Sequence, residues 1–185
     1  MKLRADELKR RAEEAGVSLA QLAGAVERPG LKGKAAESAV RNWISGRDHP
    51  RCKKTDIERL ADVVGCEAKD ISRFVSQVCH HRGSPRKAKL VVDLIRGRSA
   101  DEAEELLRFS PKRAAVNVRK ALEAARADAQ ENGADSTALV VAESRVDQAP
   151  HIKRFRPKDR GRAHPILKRT SHITVGLQER SSAGF

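Results

Sequence analysis

Eight lysine and arginine side chains stand between Lys153 and Arg169, and Asp159 is the only acidic residue among them. Lys153, Lys158 and Lys168 are compact point charges. Arg154, Arg156, Arg160, Arg162 and Arg169 carry planar forks of donors that match phosphate oxygens. Cations packed this tightly repel one another unless a polyanion lies alongside. The chemistry they offer is phosphate binding. Phe155 is the single aromatic of the stretch, so contact with backbone and folded shape is expected to outweigh base stacking.

Catalytic patterns are missing: no nucleophile elbow, phosphate loop or HExxH motif occurs. The sequence therefore speaks against an enzyme, and no cofactor is expected. Cys79, His80 and His81 are metal-binding types, as are His49, Cys52 and Cys66. A strand sends His80 and His81 to opposite faces, and neither set reaches four suitably spaced ligands, so no metal is expected. The three cysteines, Cys52, Cys66 and Cys79, lack paired spacing and read as reduced, buried thiols.

The basic stretch needs elements to hold it. TALVVAESRVD (137–147) and SHITVGLQ (171–178) have the residue types of half-buried strands. Joined as an antiparallel pair, they make the stretch, with Pro157 and Gly161, the far end of a hairpin over about residues 148–172. About ten extended residues on each side would reach roughly 30 Å. A lone two-stranded ribbon is marginal in water, so another molecule is expected to support it.

Upstream, RFVSQVCHHR reads as a strand. Ser84-Pro85 opens a helix with inner face Ala88, Val91, Val92 and Ile95, and Ser99 with Glu102 forms a capping box before the next. Ser110-Pro111 opens a longer helix carrying Ala114, Ala115, Val118, Ala121, Leu122 and Ala125 at helical spacing. The first seventy residues predict four or five short helices. Leu8, Ala12 and Ala15 mark one stripe, Ser18 with Gln21 and Thr55 with Glu58 form capping boxes, and Val40, Trp43 and Ile44 lie on a helix closed by Gly46.

The chain of 185 residues suits one large or two small domains, and its 38 basic against 25 acidic side chains give a formal charge of +13. Residues 1–76 hold 16 basic and 12 acidic groups, whereas residues 77–185 hold 22 and 13. Most of that second excess sits in the stretch from Lys153 to Arg169. Such charge favours nucleic acid. No apolar run approaches the roughly 18–20 residues of a spanning helix, and no signal-peptide core opens the chain, so a cytoplasmic protein without a membrane partner is expected.

SPRKAKLVVDLIRG, FSPKRAAVNVRKALEAARADAQEN and KRFRPKDRGRAHPILKRTSHITV together resemble the family of ribosomal protein L-twenty-two of the large subunit, over about residues 72–180. The resemblance implies an α+β domain with three helices packed on a three-stranded antiparallel sheet, from which a long β-hairpin protrudes. It implies a non-enzymatic protein that binds large-subunit ribosomal RNA, supports subunit assembly and meets neighbouring ribosomal proteins. Its hairpin tip, here Lys158, Asp159, Arg160 and Gly161, would line the tunnel and touch the nascent polypeptide transiently. By the same resemblance Arg82, Ser84, Arg86 and Lys87, at a helix start, face rRNA together with the hairpin cations and Thr170, Ser171 and His172.

Residues 1–71 form an extension that the family does not require, and residues 181–185 are expected to be a flexible tail. GVSLAQLAGAV, AESAVRNWISGRDHPR and KTDIERLADVVGC resemble a repressor-type helix-turn-helix domain, whose candidate nucleic-acid contacts would be Ser38, Arg41, Asn42 and Arg47. ERPGLKGKAAES makes the link before the second helix longer than that motif's tight turn. Two readings remain open at this level. The leading one is an rRNA-binding structural component of the large subunit; the alternative is a DNA-binding transcriptional regulator using the extension.

Overall fold

A computed structural model describes residues 1–180, and the tail expected at 181–185 lies outside the described residues. The order is β1 (Lys2–Leu3), α1 (Ala5–Glu14), α2 (Leu19–Ala25), α3 (Lys34–Ile44), α4 (Lys54–Val64), β2 (Ser72–His81), α5 (Pro85–Ile95), α6 (Ala100–Phe109), α7 (Arg113–Glu131), β3 (Leu139–Pro157) and β4 (Ala163–Glu179). The antiparallel sheet runs β1-β2-β4-β3. The class is α+β, but the expected three strands are four. Lys2 and Leu3 pair with Arg73 and Ser72, so the edge of β2 gains a partner for its open backbone groups, and the N-terminal segment is not wholly helical.

The chain divides into two compact units. The first comprises Met1–Phe74, Asp128–Asp135 and the described residues from Gln178 onward; the second comprises Val75–Ala127 and Ser136–Leu177.

In the first unit, α1 to α4 bury Leu8, Leu22, Val26, Val40, Trp43, Ile57 and Leu60 in one core. Trp43 satisfies its indole N–H by donating to the Pro50 carbonyl at 2.6 Å. Ser18 and Gln21 cap α2 reciprocally, as expected. The Thr55–Glu58 box does not form. Helix α4 starts one residue before Thr55, with Lys53 at the N-cap and Asp56 accepting from the Lys53 N–H at 2.9 Å. The reason is tertiary: Asp56 is buried and its Oδ2 also accepts from the Arg28 guanidinium at 2.6 Å, which fixes the register of the first turn. Ala15 is exposed as the C-cap of α1, so that helix presents Leu8 and Ala12 alone from the expected stripe. Gly65 ends α4 at φ 73°, a left-handed position that a β-carbon would strain.

In the second unit, α5 presents Ala88, Val91, Val92 and Ile95 as a fully buried face, and each of the larger three contributes about 1.5–3 kcal/mol by leaving water. The turn after α5 is stitched to β3: Gly97 N–H donates to Val141 O, and Val141 N–H donates to Arg98 O, both at 2.9 Å. The Arg96 guanidinium reaches the Ser144 carbonyl at 2.7 Å. Ser84 and Pro85 start α5 as expected, and Ser99 Oγ accepts from Glu102 N–H at 3.3 Å to open α6. Ser110 instead ends α6 as its C-cap, and α7 begins at Arg113.

Candidate nucleic-acid interface

Both strands continue beyond the segments whose residue types predict strand. Strand β3 runs 19 residues to Pro157 and β4 starts at Ala163. Apolar alternation stops at the sheet body, yet the ladder continues because it needs only backbone donors and acceptors. At the tip, Lys158 N–H donates to Arg162 O at 2.7 Å and Arg162 N–H to Asp159 O at 3.3 Å. Arg160 and Gly161 take φ of 55° and 70° to close the turn; glycine adopts this at little cost, whereas Arg160 is strained.

Every residue from Lys153 to Arg169 is exposed, Phe155 at 76 % and Leu167 at 53 % included. About eight residues on each side lie beyond the covered base, a reach of about 25 Å. Among the described residues, none of the eight hairpin cations forms an ion pair. Elsewhere in the same unit Arg96 pairs with Asp93, Arg119 with Glu123, and Arg126 with Asp101 and Glu104. The unit thus pairs several cations of its body and leaves those of its arm bare.

At the base of the arm the side chains turn inward. Thr170 is 2 % exposed and its hydroxyl donates to Pro150 O at 2.6 Å, while Ser171 is fully buried. The Thr170 hydroxyl thereby ties β4 to β3, whereas the Ser171 hydroxyl is buried without a partner among the described residues. His172 remains partly open. Its Nδ1 accepts from the His80 N–H at 3.3 Å, and the two rings meet edge-on at 4.7 Å.

Two clefts extend the basic surface from the arm onto the body of the unit. One, of about 300 Å³, is lined by Arg82, Arg154, Lys168, Arg169, Thr170 and neighbouring backbone. It brings the helix-start cation Arg82 together with hairpin residues about seventy to ninety positions away. The other, of about 530 Å³, is lined by Arg82, Ser84, Lys87, Leu90, Lys112 and Arg113 beside the starts of α5 and α7. First-turn N–H groups of both helices add partial positive charge there. Lys112 and Arg113 were not singled out from sequence, yet the signal was present: Ser110-Pro111-Lys112-Arg113 repeats the pattern Ser84-Pro85-Arg86-Lys87. Arg86 is exposed on α5 but lines neither cleft. His81 underlies the larger cleft, 2.7 Å through Nδ1 from the Asn117 amide. Burial, reinforced by the Arg113 charge, holds its imidazole below the ordinary range.

In the extension, Ser38 and Arg41 are exposed on α3, opposite the buried Val40 and Trp43. Asn42 is committed elsewhere, its amide donating to His49 O at 2.9 Å. Arg47 is exposed just past the helix, its N–H donating to Asn42 O. The interval between α2 and α3 spans residues 26–33 and carries a bridge between Arg28 and Leu31.

The family model described as "Ribosomal protein L22p/L17e" matches residues 76–178, a span that includes the hairpin and both basic clefts. The "Large ribosomal subunit protein uL22" of Magnetococcus marinus is 54 % identical over 99 residues, covering 53 % of this chain and 88 % of that protein. Its counterpart from Clostridium novyi is 43 % identical over 116 residues, covering 62 % of this chain and 99 % of that protein. A bare cationic hairpin, helix starts that converge on basic clefts, and a family match across all of them agree: the chain belongs to the ribosomal protein L22p/L17e family.

Proposed function

We propose that this chain is a non-enzymatic structural constituent of the large ribosomal subunit, anchored in large-subunit rRNA by its hairpin. The carrying observation is the set of eight hairpin cations, all exposed and none ion-paired among the described residues. A ribbon with donors on both faces can be enclosed by several RNA segments, whose phosphates and 2′-hydroxyls supply the missing counter-charge. Arg82, Ser84, Lys87, Lys112 and Arg113 extend that contact along the two clefts, with Arg86 beside them. Thr170 serves by fixing the base of the arm, and His172 offers the open contact there. In this reading residues 72–180 are the rRNA-binding domain, neighbouring ribosomal proteins border it, and Lys158 to Gly161 reach the wall of the nascent-peptide tunnel. Among the described residues no helix is long and apolar enough to cross a membrane.

The extension, residues 1–71, is an added module in this reading. Its helix order resembles a helix-turn-helix, but the long 26–33 link and the commitment of Asn42 to His49 disfavour a major-groove reader. Sedimentation of cell lysate on a sucrose gradient tests the proposal. The chain should appear stoichiometrically in large subunits and survive a moderate-salt wash. Recovery only in free or DNA-bound fractions would overturn it.

A further inference from the structure

We propose that the extension carries a second RNA-binding surface, formed by the outer face of α3, the loop after it and the start of α4. This rests on the reading of the chain as an rRNA-anchored protein and adds a contact outside the family-matched span.

Charge in the first 71 residues is partitioned. Residues 32–54 hold seven basic and two acidic side chains, whereas the rest of that segment holds eight basic and ten acidic. The cations outside the patch are largely paired with carboxylates that also lie outside it: Arg4, Arg10 and Arg11 on Glu7, Lys9 on Glu13, Arg28 on Asp56, and Lys69 on Glu67. All seven cations of residues 32–54 are exposed, and among the described residues none forms an ion pair. That is the signature of the hairpin repeated on a separate unit.

Six of the seven lie on α3, the loop after it and the start of α4. Lys34 and Arg41 lie two turns apart on the solvent face of α3. The following loop is folded back along that helix by two bonds from α3 and held by a third from the link before it. Asn42 donates to His49 O at 2.9 Å, Trp43 to Pro50 O at 2.6 Å, and Arg28 to Arg51 O at 3.3 Å. Arg47 and Arg51 are thereby held in the loop along α3, and Lys54 opens the helix that follows it. The partner is a phosphate backbone. The lone tryptophan is buried and cannot stack on a base, and the Asn42 amide that could read a base edge is already spent. RNA is favoured over DNA because the hairpin already places the chain on rRNA.

The test uses the full chain on deproteinised large-subunit rRNA with hydroxyl-radical footprinting, and a variant carrying K34Q, R41Q, R47Q, R51Q and K54Q. Trp43 emission verifies that the variant keeps its core. The wild type should protect two separate rRNA tracts. The variant should keep the hairpin tract, lose the second, and show a salt slope of log affinity smaller by roughly 3.5, about 0.7 for each phosphate released. An unchanged footprint and slope would refute the second surface. If R154Q/R156Q/R160Q/R162Q still erased its own tract, rRNA anchoring would stand regardless. If that variant also changed nothing, the anchoring reading itself would fail. Random-sequence duplex DNA that displaced only the extension-dependent tract, at equal nucleotide concentration, would overturn the assignment to RNA.

Discussion

Neutralising half of the hairpin charge should halve the hairpin's share of the ionic character of RNA binding without touching the fold. The perturbation is Arg154, Arg156, Arg160 and Arg162 to Gln together. Each phosphate neutralised by a cation changes log affinity by about 0.7–0.9 per log unit of salt. Eight engaged hairpin cations contribute about −6 to −7 to the slope, and in the fourfold variant that contribution should fall to about −3. Between 50 and 200 mM salt the intact hairpin contribution therefore falls by about 10⁴, and that of the variant by about 10². The four side chains are exposed and unpaired with any carboxylate among the described residues, so stability should move by no more than about 0.5 kcal/mol. Filter binding to deproteinised large-subunit rRNA across that salt range gives the slope, and thermal unfolding gives the stability. A variant that folds normally and keeps the wild-type slope would refute the claim that these cations neutralise phosphates.

Asp56→Asn should cost the first unit about 2–3 kcal/mol, because it removes a charge-assisted bond to Arg28 inside a buried site. Trp43 is the only tryptophan, so its emission in a urea titration reports that unit directly; an unshifted midpoint would count against the role of the pair. Cys52 is buried and pushed up to about 12, first by desolvation and then by Asp56 and Asp48, so it should resist iodoacetamide at pH 8 while exposed Cys79 is alkylated. Peptide mapping that found Cys52 labelled in the native chain would contradict its burial. His81, held neutral by burial and Arg113, binds its proton more readily when unfolded. Stability should therefore be fully present above the unfolded value near 6.5, decline as pH falls through that range, and level off below the depressed folded value. Melting curves of the wild type and His81→Gln between pH 5 and 7.5 should diverge toward acid; parallel profiles would dismiss the linkage.

Local chemistry sufficed for much of this protein. The Ser18–Gln21 box, the Ser84-Pro85 start and the buried faces of α5 and α7 follow from side chains acting within a turn or two, and they lie where their residues put them. The cationic run between two strand-forming segments already required a protruding arm and a polyanionic partner. Long-range contacts decided the rest. Asp56 displaced the expected cap of α4 because Arg28, far along the chain, holds its carboxylate. Lys2 and Leu3 became a strand only because β2 offered an open edge. Strands β3 and β4 ran on into a polar sequence because each supplied the other's backbone bonds. The joining of Arg82 to Lys168 and Arg169, and of Lys87 to Lys112 and Arg113, has no local signature at all. A sequence states which side chains can bind phosphate; only the packing of distant segments determines which of them share a cleft and which, like Thr170 and Ser171, are folded out of reach of solvent.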